Sequence, residues 1–311
     1  MKKNRIFLLF LNICFLFLIF SSCAQKTPKE IIVFLPSADN PFWIEVRRGV
    51  ENTASDLGKD YKITILSSGD LDAASQVEQL SSILSRGKVD AIVIGIADNK
   101  APAPILSKYN KAKIPVVMID TKLDEETSRT SGTTYNSFIG SNNRYGGHLA
   151  AQEMEKAIFA KNRGNKVLLI KGNYIHQSAI DRAEGFIEKG SDKLKIIERQ
   201  GEWSRQRAME ITTAVMMREP VDGIFASNDD MALGVIAAFK NLGIAKNKMP
   251  IIIGFDATPN GIKAIKEGYM HASMKQDPIE MGRAGVMSAK NLLEGKPVEY
   301  EKLIPIKVAK K

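Results

Sequence analysis

The stretch IIVFLPSADNPFW, residues 31–43, joins a continuous apolar run to a polar turn and two large aromatic residues. Such an apolar run is typical of a strand that is buried on both faces of a parallel sheet. Asn40 followed by Pro41 is typical of a helix start, because Asn caps free backbone N–H groups and Pro fits the first turn. The stretch therefore predicts a strand and then a helix, with Phe42 and Trp43 either in the core or against a ligand.

Apolar runs and amphipathic stretches alternate along the rest of the chain, which predicts parallel sheets covered by helices. The predicted strands are residues 31–35, 63–66, 91–94, 116–119, 167–170, 195–197, 223–226 and 251–254. The later helices are predicted at residues 142–160, 178–189, 205–217, 230–242 and 279–294. The longest break is the polar segment 121–140, so the pattern favours two doubly wound α/β domains that meet near it. A closed eight-stranded barrel is the alternative, because its strand count is similar.

The first residues of the chain have the pattern of a bacterial export signal. Residues 1–22 combine a positive start with an apolar segment, 6–20, that is too short to span a bilayer comfortably. Small residues directly before Cys23 resemble a lipobox, which predicts cleavage before Cys23 and attachment of lipid to it. Residues 23–29 then form a tether to a membrane of the cell envelope. The alternative is an ordinary signal peptide that is cut nearby, with Cys23 incidental.

Cysteine content and charge limit the remaining classes of protein. The chain has two cysteines, and loss of Cys14 with the signal leaves only Cys23, so no internal disulfide is expected. The formal net charge of +9 falls to about +6 when the basic residues of the signal are removed. The positive charges are scattered among nearly as many negative ones and form no basic block interleaved with aromatic residues. Nucleic acid is therefore not an expected partner.

Polar or aromatic residues follow the ends of the predicted strands. In open parallel α/β sheets, ligands bind beyond the carboxyl ends of the strands. The candidate binding residues at these positions are Asn40, Phe42, Trp43, Asp120, Arg182, Trp203, Asn228, Asp256 and Gln276, with Asp98 and His176 as further candidates. This set offers carboxylates, carboxamides, a guanidinium and two indoles. It suits a polyhydroxylated ligand, because hydroxyls both donate and accept hydrogen bonds and a sugar ring has weakly polar C–H faces.

Each of these residues also has a purely structural interpretation. Asn40 and Asn228 are compatible with helix caps, and Phe42 and Trp43 with the core. Arg182 is compatible with a surface ion pair to Glu184 or Glu188. The binding interpretation depends on the set as a whole, because its members stand at equivalent strand ends.

Five segments of the chain resemble the periplasmic sugar-binding proteins of the ribose/galactose type, whose fold also serves as the effector domain of LacI-type repressors. The segments are DNPFW (39–43), IPVVMID (114–120), DRAEGF (181–186), DGIFASNDDMALG (222–234) and IIGFDATPNG (252–261). The resemblance covers essentially the whole mature chain, in order. It implies an α/β fold of two doubly wound, Rossmann-like lobes with parallel sheets, joined by three crossing segments around a ligand cleft.

The resemblance also implies how the chain is divided. The first lobe would hold residues 30–140 plus 277–302, and the second lobe residues 141–276 plus 303–311. Matched positions put Asn40, Phe42 and Trp43 in the first lobe, with Asp120 beside the first crossing. They put Arg182, Trp203, Asn228 and Asp256 in the second lobe, with Gln276 at the second crossing. Trp203 matches the aromatic residue that closes over the sugar in this family.

Several positions depart from the pattern of the family. Ribose binders commonly carry Arg directly after the position of Asp120, where this chain has Thr121. Gly95 stands where the third strand usually offers Asn or Ser, and Ser178 replaces an Asp of the galactose binders. The Ca²⁺ loop of some galactose binders has no recognisable counterpart. These departures leave the identity of the sugar open.

The sequence carries little that points to catalysis. Its three histidines are far apart and lack metal-ligand spacing, and it has no phosphate-binding loop or nucleophile elbow. Asp120 and Asp256 resemble a glycosidase pair only in residue type, because the other candidates at the strand ends are binding residues. Neither a metal, nor a cofactor, nor an enzymatic activity is expected.

The resemblance therefore predicts a monomeric, lipid-anchored, periplasmic or extracytoplasmic protein. It would capture a monosaccharide, either a hexose or a pentose, and deliver it to the permease of an ABC importer. The alternatives are a ligand-binding protein for a chemoreceptor or sensor kinase, and a binder of a polyol or nucleoside. A repressor is disfavoured, because a signal and a cysteine stand where a helix-turn-helix would begin.

Overall fold

The computed structural model describes residues 27–68 and 72–311. The predicted signal peptide, Cys23 and most of the tether lie outside these residues. Within the two described ranges, no helix has both the length and the apolar character needed to cross a membrane.

The first sheet of the described chain has six strands, all parallel. They are β1 (Lys29–Leu35), β2 (Tyr61–Ser67), β3 (Ala91–Gly95), β4 (Val116–Ile119), β5 (Ser137–Ser141) and β11 (Glu301–Ile304). Their spatial order is β11-β5-β4-β3-β1-β2. Because the order reverses direction beside β1, loops that leave neighbouring strands diverge there and open a crevice at the carboxyl edge.

The second sheet repeats this arrangement. Its strands are β6 (Lys166–Lys171), β7 (Lys195–Gln200), β8 (Gly223–Ala226), β9 (Ile251–Asp256), β10 (Ala272–Lys275) and β12 (Lys307–Lys310). Their order is β12-β10-β9-β8-β6-β7, and only the edge strand β12 runs antiparallel to its neighbour.

Helices cover both faces of each sheet. In the described ranges they are α1 (Pro41–Leu57), α2 (Ala73–Arg86), α3 (Ala103–Lys111), α4 (Glu125–Ser131), α5 (Asn143–Ala160), α6 (Gln177–Gly190), α7 (Arg205–Arg218), α8 (Asp229–Asn241), α9 (Pro259–Glu267) and α10 (Pro278–Leu293). Strand β1 shows why the predicted strands are continuously apolar. Val33 and Leu35 join the core beneath α1 and α10, whereas Ile32 and Phe34 join the core beneath α2 and α3.

The chain crosses between the sheets three times: from β5 to α5, from β10 to α10, and from β11 to β12. Helix α10 packs on α1 of the first lobe, and α5 packs on α6 of the second. The prediction of two doubly wound lobes with three crossing segments is thereby confirmed. The barrel alternative is wrong, because the strands form two separate sheets.

Two details of the predicted division need correction. Strand β11 continues to Ile304, which pairs with Ser141 of β5, so both residues belong to the first sheet and the predicted changes after 140 and 302 come too early. The polar segment 121–140 is not a plain connection, because it contains α4 and most of β5. Helix α4 buries none of its residues, which is why apolar periodicity does not reveal it.

Candidate functional site

The carboxyl ends of the two sheets face a cavity between the lobes. It is lined by Pro36, Asn40, Phe42, Trp43, Ile96, Asp120, Thr121, His176, Ser178, Arg182, Trp203, Asn228 and Asp256. The centres of water molecules can occupy about 50 Å³ of it. One water needs roughly 10–15 Å³ on this measure, so several waters fit in this part of the cleft.

Two asparagines cap helices and line the cavity at the same time. Oδ1 of Asn40 accepts a hydrogen bond of 2.9 Å from the backbone N–H of Phe42, and Oδ1 of Asn228 accepts one of 2.8 Å from Met231. The capping interpretation is therefore correct for both residues. It does not remove them from the site, because each amide keeps its Nδ2 group as a donor toward the cavity.

Phe42 and Trp43 lie in the core and also line the cavity. Their rings meet edge to face, with centroids 5.2 Å apart and planes inclined by 83°. Both residues are only 7% exposed and belong to the core beneath α1, yet both line the cavity. The packing of the core thus fixes the orientation of the aromatic wall before any ligand arrives.

The packing of Trp43 accounts for the unusual glycine at the end of β3. A Cβ atom on Gly95 would lie 2.6 Å from Cη2 and 2.9 Å from Cζ3 of the Trp43 ring. Real Cβ atoms do not approach so closely, so the indole of Trp43 fills the space that a side chain at Gly95 would need.

We expect Gly95→Ser to lower the free energy of unfolding by about 1–3 kcal/mol, because it overpacks the site. In a Trp43→Phe background the smaller ring leaves room, so the same substitution should cost much less. Urea denaturation of the two single variants and the double variant measures this coupling. If the effects of the two substitutions simply add in the double variant, the indole of Trp43 does not occupy the space that a side chain at position 95 needs.

Asp120 lies at the end of β4 with a positive φ of 67°. Its backbone N–H donates to the carbonyl of Ile139 (2.9 Å), and its Oδ2 accepts from the hydroxyl of Thr121 (2.9 Å). Within the described residues, Oδ1 has no protein partner. The Thr121 hydroxyl lies 3.4 Å from that of Ser178 in the second lobe. Since the Thr121 proton is directed to Asp120, Ser178 is the donor in this contact between the lobes.

Arg182 is the central cation of the cavity and is only 4% exposed. Its Nε donates to Oδ1 of Asn143 (2.8 Å), and its Nη1 donates to the carbonyl of Ser227 (2.8 Å) and, more weakly, to Oδ1 of Asp256 (3.4 Å). The guanidinium carbon lies 3.8 Å from the centroid of the Phe255 ring. In the described part of the chain no protein group bonds Nη2.

Asp256 ends β9 and faces Arg182. Gln276 donates from Nε2 to Oδ1 of Asp256 (2.8 Å), so Oδ2 is left as an acceptor toward the cavity. Burial raises the pKa of Asp256 to about 6, although the charge of Arg182 opposes the shift. Asp256 and the next residue, Ala257, have φ values of 101° and 54°, which are strained for residues with a side chain.

Asp229 lies behind this turn and holds it. Its Oδ2 accepts from the backbone N–H (2.7 Å) and hydroxyl (3.1 Å) of Thr258, and its Oδ1 accepts from the hydroxyl of Ser273 (2.6 Å). Ser273 in turn accepts from the backbone N–H of Ala257 (2.9 Å). Burial and the nearby charge of Asp256 raise the pKa of Asp229 to about 7.

Trp203 and His176 form the last side of the cavity. The indole N–H of Trp203 donates to Nδ1 of His176 (2.9 Å), and Nε2 of His176 lies 2.9 Å from the carbonyl oxygen of Ala97 in the first lobe. Trp203 has a φ of 64°, and its ring packs on the backbone of Gly172, where an added Cβ would clash at 2.3 Å.

The cavity brings together nine of the eleven candidates that the sequence predicts, from Asn40 in the first lobe to Asp256 in the second. Gln276 does not line it but orients Asp256. Asp98 does not line it either, because its Oδ1 accepts from the backbone N–H groups of Lys100 and Ala101, at 2.7 Å each. The geometry therefore gives no support to direct ligand binding by Gln276 or Asp98.

Sequence reasoning missed two kinds of residue. Pro36 and Ile96 line the cavity but carry no polar signal. Asn143 and Asp229 hold Arg182 and the turn at Asp256 from behind, and each stands at the start of a helix. The signal available in the sequence is a polar residue at the start of a helix. This signal does not distinguish a side chain that caps its helix from one that holds a residue of the cavity in place.

This fold, with a cavity shared by two lobes, defines a two-lobed solute-binding protein. A family model described as a periplasmic binding protein domain matches residues 31–297, and the chain belongs to this family.

Individual members of the family are similar over nearly the whole chain. The ribose import binding protein of Haemophilus influenzae is 30% identical over 293 residues, which cover 93% of this chain and 92% of that protein. An ABC transporter periplasmic solute-binding protein of Actinobacillus succinogenes, solved with D-allose, superposes with a TM-score of 0.82 at 25% identity and covers 91% of this chain and 98% of its own. One from Bacillus halodurans, solved with myo-inositol, gives 0.81 at 25% identity and covers 92% and 96%.

Proposed function

We propose that this protein is the substrate-binding component of an ABC importer and captures a monosaccharide, a hexose or a pentose, by closure of its two lobes. One observation carries the proposal: both lobes contribute polar groups and aromatic surface to a single cavity between them. Three similar proteins named above are described with ribose, D-allose and myo-inositol, which are all small polyhydroxylated rings.

Among the residues that the structure describes, the cavity groups without a protein partner suit such a ring. Donors remain at Nδ2 of Asn40, Nδ2 of Asn228 and Nη2 of Arg182, and acceptors remain at Oδ1 of Asp120 and Oδ2 of Asp256. Hydroxyl groups satisfy both kinds at once, whereas a ligand without them would leave buried charged groups unpaired.

Closure follows from the division of these groups between the lobes. Asn40 and Asp120 belong to the first lobe, and Arg182, Asn228 and Asp256 to the second. A ligand that bonds both halves has a higher affinity for the closed form than for an open one, so it shifts the population toward closure. The importer would then recognise the surfaces that closure brings together.

The proposal is tested by thermal denaturation of the mature chain with pentoses, hexoses, polyols and nucleosides. A ligand at 100 times its dissociation constant stabilises the folded state by about 2.7 kcal/mol, which raises the melting temperature measurably. Stabilisation by a pentose or hexose is expected. Stabilisation by nucleosides alone would overturn the assignment to monosaccharides, and myo-inositol alone would move it to polyols.

Two neighbouring functions are separated by further measurements. A ligand-binding protein for a chemoreceptor or sensor kinase would share every residue of the cavity, so reconstituted uptake with the partner permease distinguishes it from an importer component. We further propose that the protein is a monomer that does not convert its ligand. Recovery of the unchanged sugar after long incubation would agree with this, and appearance of a product would contradict it.

As a periplasmic binding protein, the chain acts outside the cytoplasm. We propose that lipid on Cys23, which lies outside the described residues, anchors it to the membrane. The wild-type protein is then expected in the membrane fraction and Cys23→Ala in the soluble fraction, because one or more acyl chains contribute about 0.8 kcal/mol per buried CH₂ group. Detergent phase separation of cell extracts measures the distribution. Equal partition of both proteins would show that Cys23 carries no anchor.

A further inference from the structure

His176 connects the two lobes directly, without a ligand between them. It precedes α6 in the second lobe, is 4% exposed, and reaches the carbonyl oxygen of Ala97 in the first lobe. On its other side it meets the indole N–H of Trp203. Both ring nitrogens are therefore occupied by protein groups, which leaves none for the sugar.

These two partners fix the protonation state of the imidazole. A carbonyl oxygen only accepts, so Nε2 of His176 carries the proton and donates to Ala97. An indole N–H only donates, so Nδ1 of His176 has a free lone pair and accepts from Trp203. The closed cleft thus requires the neutral imidazole with its proton on Nε2.

The acceptor in the first lobe is held in place by a buried side chain. Gln76 on α2 has no exposed surface; its Nε2 donates to the carbonyl of Gly95 (2.9 Å), and its Oε1 accepts from the backbone N–H of Ala97 (3.0 Å). Both ends of the amide bind the segment that carries the Ala97 carbonyl. The position of the Ala97 carbonyl is therefore set by contacts within the first lobe.

We propose that His176 is a positioning residue that couples closure of the cleft to the orientation of Trp203. When the lobes close, the Ala97 carbonyl selects the imidazole form whose Nδ1 holds the Trp203 indole over the cavity. When they open, His176 loses this partner and is free to rotate, to change tautomer and to take up a proton. The proposal rests on the proposed function only in assuming that the cleft opens and closes.

The same geometry makes the contact sensitive to acid. A second proton on His176 occupies Nδ1. Nδ1 is then a donor that faces another donor, the indole N–H of Trp203, so the hydrogen bond between them is lost. Asp98 and Asp120 of the first lobe favour that proton, whereas burial and the charge of Arg182 oppose it. Burial is the largest of these influences and lowers the pKa of His176 in the closed cleft. Acid therefore favours the open form.

The coupling can be tested without any ligand, because a disulfide can lock the cleft. The hydroxyls of Thr121 and Ser178 lie 3.4 Å apart across the cleft, so a Thr121→Cys, Ser178→Cys pair approaches the S–S length of about 2.05 Å after a small shift. Cys23, the cysteine that remains after loss of the signal, is replaced by Ser. Long-range ¹H–¹⁵N correlation spectra of the oxidised and reduced proteins, and of the wild type, report the tautomer and pKa of His176.

The expected result is a proton on Nε2 and a lower pKa of His176 in the oxidised protein than in the reduced one. In the oxidised protein, the indole N–H of Trp203 should also exchange with solvent about tenfold more slowly, since one hydrogen bond contributes about 1.4 kcal/mol. A proton on Nδ1 in the oxidised protein, or an unchanged pKa on reduction, would overturn the proposal. If the pair fails to crosslink, a proton on Nδ1 of His176 in the wild type would overturn it as well.

Two variants separate coupling from simple packing. His176→Asn keeps an acceptor near the position of Nδ1 but falls short of Ala97, so protection of the Trp203 indole should no longer depend on closure. His176→Gln reaches Ala97 but loses the acceptor, so the protection should be absent in both states. His148→Gln, which changes a half-exposed histidine beside Glu188, is the control and should behave as wild type. None of these measurements uses a sugar. A failure of the proposed role of His176 is therefore distinguishable from a failure of the proposal that the ligand is a monosaccharide.

Discussion

Arg182→Ala is expected to lower the affinity for the captured sugar by about 100-fold or more and to destabilise the empty protein by about 3–5 kcal/mol. The substitution removes the donor at Nη2 and leaves the carboxylate of Asp256 buried without its cation. Breaking a buried ion pair from one side costs about this much, because the remaining charge stays desolvated. Calorimetric titration with the stabilising sugar and urea denaturation measure the two effects.

Arg144→Ala is the matched control for this prediction. Arg144 also links α5 to α6, through ion pairs with Glu184 (2.7 Å) and Glu188, but its side chain is 45% exposed. Exposed pairs contribute about 0–1 kcal/mol each, so the control should keep its affinity and nearly all of its stability. Equal losses in both variants would mean that Arg182 acts through the contact of the two helices and not through the cavity.

Arg182→Met keeps an unbranched stem against Phe255 and so tests the charge alone. Without the guanidinium, the pKa of Asp256 should rise further above its usual range, and the variant should be least destabilised in acid, where Asp256 is protonated. If Arg182→Met binds the sugar as tightly as wild type does, the guanidinium is not a ligand.

Much of the fold could be predicted because strands buried on both faces leave continuous apolar runs. Strands β4 and β8 match their predicted bounds for this reason. Strands β11 and β12 lie at sheet edges with exposed faces, and their sequences EKLI and KVAK carry no such run. Their pairing depends on partners far away along the chain, which a local pattern does not reveal.

The site was predictable as a set of strand ends, but the direction of each side chain was not. The rule that ligands bind beyond the carboxyl ends of strands brought Arg182 and Asp256 together correctly. It could not show that Gln276 orients Asp256, or that His176 bonds Ala97 and Trp203. A side chain that supports a ligand-binding residue and one that contacts the ligand occupy the same strand ends, and only three-dimensional contacts distinguish them.

The adjacent residues Asp229 and Asp230 illustrate most clearly that the sequence does not reveal the contacts of a side chain. Both open α8 and look equivalent in the sequence, but Asp229 is fully buried behind the Asp256 turn. Asp230 instead pairs with Arg205 at the surface (2.5 Å), where its side chain is 24% exposed. Replacement of the two residues should therefore have very different consequences.

We expect Asp229→Ala to destabilise the protein by about 3 kcal/mol and to weaken sugar binding although Asp229 does not line the cavity. The change leaves the donors of Thr258 and Ser273 without their acceptor, and each buried unpaired group costs about 1–3 kcal/mol. The strained Asp256–Ala257 backbone then loses the contacts that hold it. Asp230→Ala should change stability by less than about 1 kcal/mol, because its ion pair is at the surface.

Asp229→Asn separates the charge of this residue from its shape. Burial raises the pKa of Asp229 to about 7 in the folded protein, whereas in the unfolded chain this carboxyl releases its proton near the ordinary value of 3.8. Folding therefore takes up a proton between these values, so this residue makes the free energy of unfolding fall as pH rises from about 4 to 7. The amide does not titrate, so the stability of Asp229→Asn relative to wild type should rise over that interval and level off above it.

Urea denaturation of both proteins from pH 5 to pH 8 measures the difference, in which titrations common to both largely cancel. A difference that stays constant with pH would mean that Asp229 is already ionised in the folded protein and that its hydrogen bonds outweigh the cost of its burial.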